Sequence, residues 1–230
     1  MPRESKARRR ERAVEMCRRM DERYPEAECA LHYGTPFELV IAVLLSAQTT
    51  DAAVNKVTPE LFDRWPNPAE MAAANQADVA EVIRSIGFWR TKSAHCVECA
   101  QKIMADYAGE VPRTMDELKT LPGVGRKTAN IVLNNAFGIV EGIAVDTHVF
   151  RIATRMGLTR ADTPLKAEQD LLDVIPRELW GPVNHQLVLF GREVCDARRP
   201  LCGECPLADI CPSAGKPPES TRRKAAARRG

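Results

Sequence analysis

The feature that most constrains the fold is the segment Leu121–Asn130, which reads LPGVGRKTAN. An apolar helical pattern precedes it, two glycines stand on either side of one valine, and a second apolar helix is predicted to begin near Arg126. Glycine at both positions allows a positive φ and leaves the backbone amides uncovered. Uncovered amides at the start of a helix bind anions. The segment therefore predicts a helix-hairpin-helix that binds a DNA phosphate, and the alternative is an ordinary tight turn between two helices.

Start signals for short helices recur along the rest of the chain. Pairs of a capping residue and a proline are predicted to begin helices at Thr58-Pro59, Asn67-Pro68 and Thr163-Pro164. The pair Gly181-Pro182 is predicted to separate one helix from the next, at His185–Val194. Stretches that alternate apolar and polar residues are scarce, and 230 residues suffice for one large or two small domains. We predict an all-α fold.

Positive charge is concentrated at the two ends of a chain whose formal net charge is only +2. The basic residues in question are Arg3, Lys6, Arg8, Arg9, Arg10 and Arg12 at one end and Lys216, Arg222, Arg223, Lys224, Arg228 and Arg229 at the other. Basic ends on a near-neutral body suit a polyanionic partner. The alternative is that both ends are solvated, disordered tails.

The sequence predicts no membrane segment and no targeting signal. No apolar run is long enough to span a bilayer, and the N-terminus lacks the apolar stretch of a signal peptide. We expect a cytoplasmic, nucleoid-associated protein, in which eight cysteines are not expected to form disulfides.

Lys127 is predicted to lie in the first turn of the second hairpin helix. Lysines are usually solvated, but the helix dipole disfavours a cation at this end. The same field, with partial burial, is predicted to lower the pKa of this lysine. A lowered pKa is what an amine nucleophile requires.

Asp146 precedes a predicted helix in the segment VDTHV and has two interpretations. Aspartate is a good N-cap for the helix that follows it. A carboxylate held in this way also stays ionised, so it can stabilise a developing positive charge or orient a water molecule. The two roles are compatible.

Four cysteines lie within seventeen residues near the C-terminus, at Cys195, Cys202, Cys205 and Cys211. In a reducing compartment such a group indicates a metal site. Zinc sites usually have two C-x-x-C pairs, whereas only one is present here, so an iron–sulfur cluster fits better. The other close pair, Cys96 and Cys99, lies within a predicted helix and is expected to be part of the core or its boundary.

These motifs, together with LLSAQTTD at Leu44–Asp51, resemble those of the endonuclease III family, the iron–sulfur DNA glycosylases of the helix-hairpin-helix superfamily. The resemblance covers about residues 10–212. It implies two helical lobes that flank a DNA cleft. Residues 1–28 and 140–212 would form the cluster lobe, residues 29–139 a six-helix barrel with the hairpin, and residues 213–230 a disordered basic tail.

The resemblance also implies a bifunctional reaction in base excision repair. Lys127 would face Asp146 across the cleft, attack C1′ of a damaged nucleotide and form a Schiff base. β-Elimination would then break the strand 3′ to the abasic site, with Asp146 assisting. The implied substrates are oxidised pyrimidines such as thymine glycol, and abasic sites. The four C-terminal cysteines would hold a [4Fe–4S] cluster.

Several further residues are expected to contact DNA on the basis of the resemblance. Gln48 would fill the gap left by the flipped nucleotide, and Phe88 would wedge between bases. The alternative for Phe88 is packing under its loop. The remaining contacts are expected from Gly123, Val124, Gly125, Thr128 and His148.

Two other functions stay open. One is a monofunctional adenine glycosylase, although that branch lacks a lysine at the position of Lys127 and carries a further C-terminal domain. The other is a non-catalytic iron–sulfur protein that binds DNA or senses redox state, against which the presence of both Lys127 and Asp146 argues. The expected partner is double-stranded DNA with damaged bases or abasic sites, bound by a monomer.

Overall fold

The computed structural model describes residues 4–216, and every regular element in that range is helical. It contains eleven α-helices and one 3₁₀ turn, with no strand among the described residues. The prediction of an all-α fold is therefore confirmed. Within the same range no helix is both long and apolar enough to cross a bilayer. Most of the predicted tail, residues 217–230, lies outside the described residues, as do residues 1–3.

The chain divides into two compact units. The first unit combines the residues up to Glu28 with those from Gly142 onward, and the second unit is Cys29–Glu141. The helices of the first unit are α1 (Lys6–Arg23), α9 (Thr147–Arg155), α10 (Pro164–Leu172) and α11 (Trp180–Glu193), with the 3₁₀ turn at Arg177–Leu179. Those of the second unit are α2 (Pro36–Leu45), α3 (Asp51–Arg64), α4 (Pro68–Ala72), α5 (Gln76–Val82), α6 (Trp89–Tyr107), α7 (Met115–Leu118) and α8 (Arg126–Phe137).

The core of the second unit forms around α2. Every residue from Leu39 to Leu45 is buried, so this helix is apolar on all sides. It packs against α3, α6 and α8, while α4 and α5 pack on α6. The helix that leaves the hairpin, α8, is thereby fixed to the central element of its unit.

The core of the first unit joins α1 to the C-terminal part of the chain. The buried residues of α1 follow helical spacing at Ala13, Met16, Cys17 and Met20, and α1 packs on α11. Most of the N-terminal basic residues belong to this helix, which begins at Lys6. The alternative of a disordered N-terminal tail is therefore wrong for the residues of α1.

The proline pair at Thr58-Pro59 does not begin a helix. Helix α3 is already capped at Thr50, whose Oγ1 accepts from the N–H of Ala53, and it runs through Pro59. The apolar stripe of Val54, Val57 and Leu61 continues past the proline, so tertiary burial offsets the one helical hydrogen bond that proline lacks. The other two pairs do cap helices, α4 and α10.

The pair Gly181-Pro182 likewise does not separate two helices, as the sequence had predicted. Both residues lie in the first turn of α11, which begins at Trp180. First-turn N–H groups have no partner within the helix, so a proline there removes no hydrogen bond.

Candidate functional site

The two hairpin glycines have different conformations. Gly123 has a φ of +78°, and a Cβ there would lie 2.9 Å from both His95 Nδ1 and Leu44 Cδ1. Gly125 has a φ of −96°, and a Cβ there would meet nothing within 4 Å. A positive φ at both positions was therefore a wrong expectation. Gly123 is required by the fold, whereas Gly125 leaves the space in front of α8 open.

The start of α8 has the features of an anion site. Gly125 is the N-cap, no side chain caps the helix, and its first turn contains no acidic residue. Val124 and Thr128 are buried, and the N–H of Val124 donates to the carbonyl of Leu121 at 3.0 Å. The N–H of Thr128 is one of the first-turn groups that have no partner within a helix. Lys127 lies in the same turn and is half-buried. The turn thus combines first-turn amides with an amine.

The two residues predicted to enter the DNA share an uncommon backbone conformation. Among the described residues, three other than glycine have a positive φ: Gln48 at +53°, Phe88 at +58° and Ala108 at +52°. Ala108 merely ends α6. Gln48 stands in the turn that precedes α3, and Phe88 stands in the turn that precedes α6. Residues other than glycine are strained when their backbone lies in the left-handed region, and such residues often mark functional sites.

Phe88 is the N-cap of α6 and points into solvent, with 63% of its surface exposed. The alternative that Phe88 packs under its loop is therefore wrong. The next residue, Trp89, is half-buried, and the guanidinium of Arg90 lies 4.0 Å from its ring centroid. Of the two neighbouring aromatic residues, Phe88 is the more exposed.

A residue that the sequence analysis missed lies next to both turns. Lys92 is only 4% exposed, and its Nζ donates to Thr49 Oγ1 at 2.6 Å. Burial lowers the pKa of Lys92. Helical spacing could have revealed it, because Lys92 continues the buried stripe of Cys96, Ala100 and Ile103.

In the other unit, Asp146 is the N-cap of α9. Its Oδ1 accepts from the N–H of Val149 at 2.8 Å, which confirms the capping interpretation. The extended residues before it are buried, and Asn184 Nδ2 donates to the carbonyl of Ala144 at 2.7 Å. The carboxylate is half-buried and firmly oriented, a state that suits either interpretation.

His148 lies two residues further along, in the first turn of α9. Arg151 Nη2 lies 3.1 Å from His148 Nδ1, and arginine can only donate, so Nδ1 accepts and Nε2 carries the proton. Burial lowers the pKa of His148, and the positive charges of Arg151 and Arg192 lower it further against the opposing effect of Asp146. The imidazole is therefore neutral at physiological pH.

The four C-terminal cysteines are all half-buried. Three of them, Cys195, Cys205 and Cys211, pack against the apolar core of their unit. Arg155 Nη1 lies 3.2 Å from Cys195 Sγ, and the N–H of Leu207 lies 3.4 Å from Cys205 Sγ. Donors directed at sulfur stabilise thiolates, as the ligands of a metal centre require.

The candidate donor set consists of four thiols. Within residues 4–216 no three histidine, cysteine or acidic side chains lie close enough together to hold a single metal ion. Cys96 and Cys99 are fully buried in α6, as expected, and burial raises the pKa of Cys99 to about 12. They are core thiols.

Comparison with known proteins gives matches over most of the chain. Residues 41–177 match the HhH-GPD superfamily of base excision DNA repair proteins, and residues 195–211 match the iron–sulfur binding domain of endonuclease III. Endonuclease III from Synechocystis sp. is 48% identical over 208 residues, which are 90% of this chain and 95% of that protein.

Solved structures show the same relationship. A trapped covalent intermediate of endonuclease III with DNA superposes with a TM-score of 0.86 at 43% identity, covering 90% of this chain and 97% of that one. A non-covalent endonuclease III–DNA complex superposes with a TM-score of 0.85 at 42% identity, covering 93% of this chain and 98% of that one.

Proposed function

The chain belongs to the endonuclease III family of base excision repair DNA glycosylases, enzymes with AP lyase activity and a [4Fe–4S] cluster, and we propose that it removes oxidised pyrimidines through Lys127. The observation that carries this proposal is the position of Lys127. It lies half-buried in the first turn of a helix that no side chain caps, two residues after the second hairpin glycine. A phosphate bound by those amides would bring a nucleotide sugar near the amine.

In the proposed reaction the damaged nucleotide is first flipped out of the duplex, which costs least where a lesion pairs or stacks poorly. The neutral amine of Lys127 attacks C1′ while the bond to the base breaks and the base leaves with a proton. The C1′–O4′ bond of the sugar then breaks, O4′ takes up a proton to become a hydroxyl, and C1′ is left joined to the lysine nitrogen as a Schiff base, which acidifies the C2′ proton. Loss of that proton expels the 3′ phosphate by β-elimination, and water later releases the lysine.

Asp146 is proposed as the carboxylate of this reaction. Its hydrogen bond from the N–H of Val149 holds the carboxylate at the start of α9. An ionised carboxylate can accept the proton of the lysine ammonium or stabilise the positive charge that develops on the sugar. Its capping role fixes the orientation that either task requires.

The proposed partner is double-stranded DNA with a damaged base or an abasic site, bound by a monomer in the cytoplasmic nucleoid. The amides of Gly123, Gly125 and Thr128 would bind phosphate, and His148 would add a neutral donor. Val124 would hold the hairpin in shape, since its own N–H donates to the carbonyl of Leu121. Gln48 would fill the gap, and Phe88 would be the wedge, since Phe88 is exposed while Trp89 is half-buried and stacked with Arg90. Residues 29–139 would form the barrel lobe, and residues 1–28 with 140–212 the cluster lobe.

The four half-buried cysteines Cys195, Cys202, Cys205 and Cys211 are proposed to hold the [4Fe–4S] cluster. When bound, the cluster cross-links their loop and supplies a centre able to exchange an electron. Arg155 would keep its hydrogen bond to Cys195 and offset part of the negative charge of the thiolates.

The proposed function is tested on a panel of duplexes. They contain thymine glycol, an abasic site, adenine opposite an oxidised guanine, or no damage. Wild type and Lys119→Ala are expected to release thymine glycol and nick the strand, while Lys127→Ala does neither. Lys119 is the matched control, a half-exposed lysine paired with Asp116 shortly before the hairpin.

Each remaining outcome points to another function. Release of adenine without nicking would support the adenine glycosylase alternative. Binding without release from any duplex would support the non-catalytic one.

A further inference from the structure

Lys92 is a buried lysine whose ammonium donates a hydrogen bond to one side chain. Its side chain is 4% exposed, and within residues 4–216 the single hydrogen bond of its ammonium goes to the hydroxyl of Thr49, at 2.6 Å. Among the described residues no carboxylate forms an ion pair with Lys92, and burial lowers the pKa of its ammonium. Its charge is thus uncompensated by a counterion within the described part of the chain.

Lys92 is hydrogen-bonded to both of the turns in which Gln48 and Phe88 have a left-handed backbone conformation. Its ammonium binds Thr49, the residue next to Gln48, whose φ is +53°. Its backbone N–H donates at 3.0 Å to the carbonyl of Phe88, whose φ is +58°. The amide bond is the first helical hydrogen bond of α6 and does not depend on the residue type, whereas the ammonium bond ties the turn that contains Gln48 to the first turn of the helix that Phe88 caps.

Core stability alone does not account for a lysine at this position. Burying an ammonium costs free energy that an apolar side chain of similar length does not incur. The neighbouring buried residues of the helix, among them Cys96, Val97 and Ala100, form a surface against which a methionine would pack. A hydrogen bond from a charged donor gives the adjoining turn a definite position instead.

We propose that Lys92 is a positioning residue that holds the Gln48 turn at a fixed distance from Phe88, so that both side chains enter the duplex together when a nucleotide is flipped. This inference rests on the proposed function, which assigns gap filling to Gln48 and wedging to Phe88. Lys92 acts through Thr49 and does not itself touch the DNA. Its contribution is confined to steps that open a duplex, and the chemistry at Lys127 proceeds without it.

The test uses the holoenzyme with Lys92→Met, Thr49→Val and the double variant. The control is Lys102→Met, because Lys102 lies on the same helix but has 33% of its side chain exposed and is paired with Asp106. Single-turnover rates are measured on a thymine-glycol duplex. Borohydride trapping is measured on a single-stranded abasic oligonucleotide, which has no gap to fill, and melting temperatures are recorded for every variant.

The inference predicts a selective defect. Lys92→Met and Thr49→Val each slow excision from the duplex about tenfold, the effect of losing one charge-assisted hydrogen bond. The double variant is no slower than the slower single one, because both remove the same bond. Trapping on the single strand stays at the wild-type level, and the melting temperature of Lys92→Met does not fall.

Other results would overturn the inference. If Thr49→Val or Lys92→Met excises thymine glycol from the duplex at the wild-type rate, the hydrogen bond between the two residues has no part in excision. Equal losses on both substrates, accompanied by a lower melting temperature, mean that Lys92 is only structural. If wild type itself is not trapped on the abasic strand, the proposed function fails, which is a separate result.

Discussion

Arg155 donates a hydrogen bond to the sulfur of Cys195, with Nη1 3.2 Å from Sγ. The same guanidinium donates to the carbonyls of Asp196 at 2.7 Å and Ala197 at 2.8 Å. Helix α9 thus begins at the Asp146 cap and is bound to the cysteine loop near its other end. The proposed catalytic carboxylate and the proposed cluster ligands belong to one hydrogen-bonded assembly within their unit.

Removing this guanidinium should loosen the cluster. Arg155→Leu removes the hydrogen bond to the sulfur and the three hydrogen bonds to the carbonyls of Cys195, Asp196 and Ala197. Loss of hydrogen bonds that orient metal ligands commonly weakens metal affinity about 10- to 100-fold. We expect faster loss of the visible absorbance of the cluster in the presence of an iron chelator. Arg160→Leu, at an exposed position in the turn that follows, should lose its cluster at the wild-type rate. Equal rates for both variants would show that Arg155 does not support the cluster.

The capping and catalytic roles of Asp146 can be separated. Asparagine also caps helices well, so Asp146→Asn should change the free energy of unfolding by less than about 0.5 kcal/mol, whereas Asp146→Ala should cost about 1 kcal/mol. Excision should fall about 100-fold or more in both, because neither retains the carboxylate. Denaturant unfolding and single-turnover excision measure the two effects. If Asp146→Asn excises at the wild-type rate, Asp146 serves only as a helix cap and has no catalytic role.

The two hairpin glycines should respond differently to alanine. Gly123→Ala forces a side chain into a positive φ and against His95, and should cost about 1–2 kcal/mol of unfolding free energy. Gly125→Ala meets no neighbouring atom and should leave stability within about 0.5 kcal/mol of wild type.

Gly125→Ala should instead weaken DNA binding about tenfold, since its methyl group stands where a phosphate would approach the amides. The affinity of wild type should also fall steeply with salt. DNA titrations at several salt concentrations check both expectations. Undiminished affinity of Gly125→Ala would mean that phosphate is bound elsewhere.

Stability should decrease in mild acid through His148. Its folded pKa lies below the ordinary value of 6.5, so the unfolded chain binds more protons in the window between the two values. Stability therefore rises with pH in that window and falls as the pH is lowered from about 7 to about 5. His148→Gln should show a shallower fall in melting temperature than wild type. The exposed His32 supplies the control, and His32→Gln should match wild type. Equal slopes for His148→Gln and wild type would contradict this account.

The sequence predicted secondary structure best where that structure depends on residues close together in the chain. Thr163-Pro164 caps α10 because the hydroxyl reaches the N–H of Lys166 three residues on, which is a local interaction. Thr58-Pro59 carries the same signal but fails, because the burial of Leu61 and other residues of α3 extends that helix through the proline. Propensity was outweighed there by packing that a local pattern does not reveal.

Contacts between distant residues could not be derived from the sequence. The need for glycine at position 123 arises from His95 and Leu44, which belong to two other helices. The burial of Lys92 depends on Thr49, forty-three residues earlier in the chain. Its helical spacing was visible, but lysines are almost always exposed, so the residue type concealed the position.

Borohydride trapping tests the central claim most directly. Wild type is incubated with an abasic or thymine-glycol duplex in the presence of borohydride, which reduces a Schiff base to a stable amine, and the adduct is mapped by peptide mass spectrometry. The account predicts a covalent protein–DNA adduct on Lys127, formed equally by Lys119→Ala and absent from Lys127→Ala. Base release by wild type with no adduct, or an adduct on another lysine, would contradict it.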